Sequence, residues 1–396
     1  MQEDNDIKNA LVATIALFTI KNSIFCNSDV LAGYNATANY LIIVISIFLY
    51  LRCLVHRKLK IRINLTSMFI GIIIICFIIF SHLVNPAAFK YDYVIDDITT
   101  FFSYSFLPLI FIPTCNNICG IKKLMFKWGY VMVFAAIVGF FLFRFNGYRD
   151  INGLTYSMSY GKNICLPCLI MILKFRDEKK FKDLFLAALI IVFIVMIGSR
   201  FPLLYIMSYI LILYWNDMNK ISRVFFLIIT VIVSFFLISD KFNFFINIIE
   251  KIPVFDSSSR TINLIKQGNE LYDSARGEIH TMLIEKVNNS PIWGYGFGGG
   301  VYALSGESPH GFIYDCIGSL GYVFGTVFIL VSFIFIIFTW WKNRNDDLGD
   351  IMLMFICLFF PTIALQDSIF SAYKFWWLIA FALYYKSKRR IETYEY

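Results

Sequence analysis

Charge is scarce in this chain. Only 16% of its 396 residues are charged, against about 25% in an average soluble domain. That shortage excludes an ordinary cytosolic enzyme, and the apolar content excludes a disordered chain. Histidine is also rare, with four residues, at 56, 82, 280 and 310. The nine cysteines are odd in number and mostly lie in or beside apolar runs, which argues against a disulfide framework. Cys165 and Cys168 have a redox spacing but sit in an apolar run with no soluble βαβ context. They are expected to pack as small hydrophobes in a helix. Met1 to Asn9 mixes acids and amides and lacks the basic region and small-residue cleavage site of a removed signal peptide. No internal repeat and no low-complexity linker stand out, so residues 1–396 are expected to form a single membrane domain.

What the chain has in abundance is apolar surface: 59% hydrophobic residues, among them 43 Phe and 23 Tyr. A bilayer core takes about 20 apolar residues per helix. On that measure twelve spans fall near 8–26, 37–55, 63–83, 98–114, 124–144, 159–174, 184–199, 201–215, 224–240, 311–340, 351–366 and 374–386. The expected fold class is all-α, a polytopic transmembrane helical bundle. The first span is interrupted by Lys8 and Lys21, and 311–340 is long enough to tilt or to start above the membrane. The net charge of +8 does not point to nucleic acid, because the basic residues fall in short clusters between apolar runs. These clusters include Arg57, Lys58, Lys60 and Arg62, then Lys122, Lys123 and Lys127, then Lys174 to Lys182, and last Lys386 to Arg390. The positive-inside rule makes those loops cytoplasmic, with both termini inside. The only long loop, residues 241–310, is then outside.

Residues 184–215 form a stretch of about 32 residues with one charge, Arg200, near its centre. A single straight helix of that length would run about 48 Å, well beyond a bilayer core. A hairpin that turns at Gly198-Ser199-Arg200-Phe201-Pro202 fits better, since Gly and Pro can break the helix there. Arg200 then sits at or just below the outer surface. An arginine at such a break usually has a partner or a function, the alternative being an interface anchor.

Four further features gather on the outer side. Ile279, Leu283 and Val287 recur at helical spacing, so the segment from Ser274 is expected to be an amphipathic helix. Arg276 and His280 share its inward face. Ser290 to Gly300 carries Gly294, Tyr295, Gly296 and three further glycines. Its backbone can approach a ligand closely, although no Walker sequence follows. His310 stands where a span begins, and a neutral imidazole there could act as a general base. Asp92, Asp96 and Asp97 lie after the third span, as a solvated acidic loop or a divalent-metal site. Asp315 is a candidate buried partner of His310.

The order of these elements resembles the O-antigen polymerase and ligase superfamily of bacterial inner-membrane glycosyltransferases. A span ends in Ser199-Arg200, and a long outer loop carries Ala275-Arg276-Gly277. Pro291 and the Gly-x-Gly-Phe-Gly turn at 294–298 follow, and His310 opens a glycine-bearing helix. The resemblance implies a GT-C-like bundle that transfers glycan from an undecaprenyl-pyrophosphate carrier at the periplasmic face, with no cofactor. For Arg200 and Arg276 it implies binding of the carrier pyrophosphate, and for His310 activation of the acceptor hydroxyl. Gly294, Tyr295, Gly296 and His280 are the accompanying substrate-binding candidates, and no metal is expected. Expected partners are the lipid-linked glycan donor and acceptor, membrane lipid and a chain-length regulator protein, but no nucleic acid. Ligases of this superfamily often have Asn after the His, where this chain has Gly311, which leans toward a polymerase. A ligase, a flippase for the same lipid-linked glycan, and a metal-dependent transferase using Asp96 and Asp97 remain the alternatives.

Overall fold

The computed structural model describes residues 2–25, 34–56, 64–115, 117–118, 120–146, 158–197, 201–215, 270–289, 292–309, 311–360 and 368–394, with single positions at 31, 219, 221, 223, 224, 228 and 363. Among them the structure is all-helical, 86% helix with no strand. In chain order the helices are α1 (Gln2–Phe25), α2 (Asn35–His56), α3 (Leu65–Val84), α4 (Asp92–Thr114), α5 (Ile121–Asn146), α6 (Met158–Glu178), α7 (Phe181–Ile197) and α8 (Phe201–Trp215). They continue with α9 (Glu270–Asn288), α10 (Gly299–Ala303), α11 (Phe312–Lys342), α12 (Asp347–Phe359) and α13 (Tyr373–Tyr394). Helices fall at every expected span except 224–240, most of which lies outside the described residues. Among the described residues four helices are both long and apolar enough to cross a membrane: α3, α4, the Ile121–Phe143 part of α5, and α11.

The chain divides into two compact units. The first comprises Met1–Thr14, Ile42–Lys122 and Asp273–Tyr396, and the second Ile15–Leu41 and Lys123–Tyr272. In the first unit α12 and α13 form the core. Leu348 to Phe359 and Ala372 to Tyr384 are buried on all sides, as expected of helices that are apolar all round. Helix α4 crosses this core with an irregular middle. Its π-helical segment Phe102–Phe106 precedes Pro108, whose missing N–H cannot serve the Tyr104 carbonyl. The Trp377 indole donates to that carbonyl instead, at 2.8 Å. Lys8 and Lys21 do not interrupt α1. Both are buried, and the Lys21 ammonium donates to the Asn39 carboxamide at 2.7 Å.

One expectation needs correction. Asp92, Asp96 and Asp97 are not in a loop, because α4 already starts at Asp92, where an acid favours a helix N-terminus; Asp92 and Asp96 are exposed on it. Residues 311–340 form one helix, as expected of a span that is long for the bilayer, but it is not straight. Helix α11 breaks at Gly321, at φ 77° and ψ 170°, a region open essentially only to glycine. The break leaves a short piece from Phe312 and a membrane-length piece ending at Lys342.

In the second unit α6 is the central helix, buried from Ile164 to Lys174. Cys165 and Cys168 are free thiols in that buried stretch, as the packing reading expected. Gly129 of α5 lets Met171 and Ile170 of α6 approach closely. A polar chain ties the helices at one end: Lys174 donates to the Tyr130 hydroxyl at 2.7 Å, and Tyr130 donates to Asp183 at 2.6 Å. Asp183 is wholly buried. Tyr130→Phe removes the hydroxyl that joins the ammonium to the carboxylate, so it is expected to lower stability by about 1–3 kcal/mol. The midpoint of thermal unfolding in detergent measures that loss, and an unchanged midpoint would show that the bridge contributes nothing.

Candidate functional site

The glycine-rich segment of the first unit is assembled around the break in α11. Gly318 and Ser319 lie just before Gly321, so their normal helical donors, residues 322 and 323, lie beyond the break. The glycine turn supplies replacements: Tyr295 N–H donates to the Gly318 carbonyl and Gly296 N–H to that of Ser319, both at 3.0 Å. The docking depends on missing side chains. A Cβ on Gly299 would lie 2.6 Å from the Gly318 carbonyl oxygen, and one on Gly318 would lie 2.7 Å from the Gly300 Cα. Gly294, Gly296 and Gly298 all have φ between 70° and 80°. From the other side Ser81 at the end of α3 accepts the Phe297 N–H at 2.9 Å, and the Asn85 amide donates to the Tyr295 carbonyl at 3.3 Å.

Helix α9 docks on this platform by the stripe read from its sequence. Leu283 and Val287 are buried against Leu304 and Ile317, with Ile279, Tyr295 and Tyr314 packed at the edge. The Tyr295 hydroxyl donates to the Lys286 carbonyl at 2.9 Å and pins the C-terminal end of α9. One turn before Leu283, His280 stacks on Tyr314 with ring centroids 3.6 Å apart and planes 12° apart. Its Nε2 lies 3.2 Å from the Pro309 carbonyl oxygen. A carbonyl only accepts, so Nε2 carries the proton in this contact. Arg276 belongs to the same helix, one turn before His280.

Beneath the glycine turn lies a carboxylate junction. Asp315, on the first turn of α11, is buried, and its Oδ2 accepts the Ile369 N–H at 2.9 Å. Its Oδ1 lies 2.9 Å from where a Cβ of Gly300 would stand. Asp97 reaches the Ser368 and Ser371 hydroxyls of the same turn and feels the charge of Asp315. These contacts hold α4, α11 and the 368–371 turn together.

The structure therefore brings together Gly294, Tyr295, Gly296 and His280, with the backbone of Arg276 close by on α9. Arg200 and His310 lie outside the described residues, although their flanks do not: α7 ends at Ile197 and α8 begins at Phe201, and Pro309 and Gly311 border His310. Gly311 is extended, at φ −177° and ψ 133°, a conformation any residue adopts, so its backbone does not demand glycine. Sequence reasoning missed Ser81, Tyr314 and Gly321. Of these only Gly321 left a signal, as a glycine in the middle of an apolar run.

These features define an integral membrane protein in which helix α9 is locked to the head of a broken apolar helix. Residues 185–320 match the family model described as O-Antigen ligase, and the match supports membership of the O-antigen ligase and polymerase superfamily. It indicates a ligase- or polymerase-type function in surface polysaccharide biosynthesis, carried out by glycosyltransferase-like enzymes on lipid-linked glycans in the inner membrane. No curated protein and no solved structure matches the chain.

Proposed function

We propose that this chain is an O-antigen polymerase: a metal-independent, GT-C-like glycosyltransferase of about twelve spans. It joins undecaprenyl-pyrophosphate-linked repeat units at the periplasmic face, with both termini cytoplasmic and the 241–310 loop outside. The observation that carries this reading is the contact of His280 with Pro309 and Tyr314, which draws the helix bearing Arg276 against the residue that precedes His310. Two residues of the motif pattern, about 34 positions apart in sequence, thereby belong to neighbouring backbone segments.

In the proposed reaction the glycosidic bond to the carrier pyrophosphate breaks as the acceptor hydroxyl attacks the anomeric carbon. The leaving pyrophosphate gains negative charge and needs no proton. Arg276 and Arg200 follow that charge, since a guanidinium presents a planar fork to phosphate oxygens. The acceptor hydroxyl is a poor nucleophile, and His310 takes its proton during attack. The peptide N–H groups of the glycine turn at 295 and 296 are occupied by the α11 break. The turn therefore serves as the rigid floor of the site, and His280 fixes its wall. A chain-length regulator protein remains a proposed partner.

The lipopolysaccharide ladder of a deletion strain tests the reading. A polymerase deletion leaves core carrying a single repeat unit. Bare core with polymer accumulating on the carrier would instead identify a ligase, which the extended backbone at Gly311 would also accommodate. An unchanged ladder would remove both.

A further inference from the structure

Charge is distributed unevenly where α5, α6 and α7 end on the basic side of the second unit. Several cations there are neutralised on the spot. Arg176 pairs with Asp177 at 3.0 Å, and Lys180 pairs with Glu178 at 2.7 Å. The second contact holds the Glu178 carboxyl below its usual range and raises the Lys180 ammonium. Lys174 reaches Asp183 through Tyr130. Lys123, Lys127 and Lys182 differ: all three are exposed, and none has an acid within ion-pair distance among the described residues.

Each of these free lysines heads an apolar stripe that is left uncovered. On α5 the residues following Lys123 and Lys127 at helical spacing are Val131 and Phe134, 47% and 67% exposed. On α7 Lys182 stands beside Phe181, which begins a stripe through Phe185 and Val192. The two helices touch through side chains at two levels. Lys182 lies 5.1 Å from the Tyr130 ring centroid, and deeper in, Phe140 stacks on Phe193 at 4.1 Å. The result is a surface of the α5–α7 pair with exposed ammonium groups and an aromatic ring at one end and exposed apolar side chains along both helices.

We propose that this surface is a binding site for an anionic phospholipid, its headgroup held by Lys127 and Lys182 and its acyl chains lying along the α5 and α7 stripes. Charge complementarity selects the occupant. Basic residues between membrane helices attract anionic headgroups, and exposed apolar side chains in a bilayer take acyl chains. A zwitterionic lipid offers no net charge to the three free cations, and a free anion leaves the apolar side chains unused. The positive-inside orientation would place this lipid in the cytoplasmic leaflet, away from the proposed reaction, so the site would anchor the second unit rather than feed the chemistry.

The test uses the purified full chain in detergent, offered equal amounts of dioleoylphosphatidylglycerol and dioleoylphosphatidylcholine, with bound lipid counted by native mass spectrometry. The wild type is expected to retain phosphatidylglycerol preferentially. The Lys127→Gln/Lys182→Gln variant should lose about tenfold or more of it. The Lys127→Arg/Lys182→Arg variant and the ion-paired control Arg176→Gln should keep it. Equal retention of both lipids, or undiminished phosphatidylglycerol on the double Gln variant, overturns the proposal. If that variant does not fold, salt decides on the wild type: bound phosphatidylglycerol should fall with rising sodium chloride while phosphatidylcholine does not, and insensitivity to salt overturns the proposal. Displacement by millimolar inorganic phosphate would also overturn it, because it would make the site one for free anions.

Discussion

Arg276→Ala is expected to abolish chain growth without unfolding the protein. Losing one preorganised donor to a developing anion typically costs about 10²–10³-fold in rate, and a guanidinium on pyrophosphate should cost at least as much. The arginine sits in the first turns of α9, ahead of the buried Leu283 and Val287 that dock the helix, so its removal leaves the docking stripe intact. Arg200→Ala and His310→Ala should give the same collapsed ladder, whereas Lys58→Ala, in a basic cluster that the proposed topology puts on the cytoplasmic side, should not. Arg276→Lys is the informative intermediate, since it keeps the charge and loses the fork, so it should restore only part of the activity. The measurement is the polysaccharide ladder in a complemented deletion strain, with protein level checked in the membrane fraction. Long polymer from both Arg276→Ala and Arg200→Ala would refute the pyrophosphate assignment. Long polymer from Arg276→Ala alone would reduce it to Arg200.

Much of this architecture was legible in the chain because membrane helices depend on local composition. Apolar runs of bilayer length, set off by lysines and arginines, predict where most helices lie. The α9 docking face was legible too, because Ile279, Leu283 and Val287 repeat at the period of the helix itself. Isolated charges misled. Lys8 and Lys21 read as interruptions of α1, yet a buried ammonium is tolerated where a partner such as the Asn39 carboxamide receives it. The three acids at 92–97 read as loop, yet the serines that receive Asp97 lie some 270 residues away, and no local pattern announces them. The same holds within the candidate site. His280 was found from its helical face, but Tyr314, on which it stacks, lies 34 positions on in another helix. Contacts made by tertiary folding leave no period in the sequence.

Gly321 is where local and distant demands meet, and its substitution should have the largest effect on folding. Gly321→Ala faces two obstacles at once. Its backbone, at φ 77° and ψ 170°, belongs to a region that costs about 1–3 kcal/mol for a residue with a side chain. The new Cβ would also collide with the Ile292 carbonyl oxygen and stand 2.7 Å from the Gly294 amide nitrogen. Backbone atoms cannot rotate away as a side chain can, so relief requires the 292–296 turn to leave the α11 break. That departure would strand the Gly318 and Ser319 carbonyls, which accept from Tyr295 and Gly296, inside a membrane protein where no water replaces them. The expected outcome is loss of the monodisperse peak in fluorescence-detected size-exclusion chromatography, or a collapse of the thermal midpoint. Gly277→Ala is the matched control. Gly277 lies within α9 with nothing within 4 Å of a Cβ added there, so alanine should leave stability unchanged or raise it by about 0.5–1 kcal/mol. If Gly321→Ala folds as well as Gly277→Ala, the turn does not complete the broken helix, and the floor of the proposed site must be sought elsewhere. If Gly277→Ala folds normally but makes no polymer, that exposed glycine beside Arg276 is needed for close approach of the donor rather than for the fold.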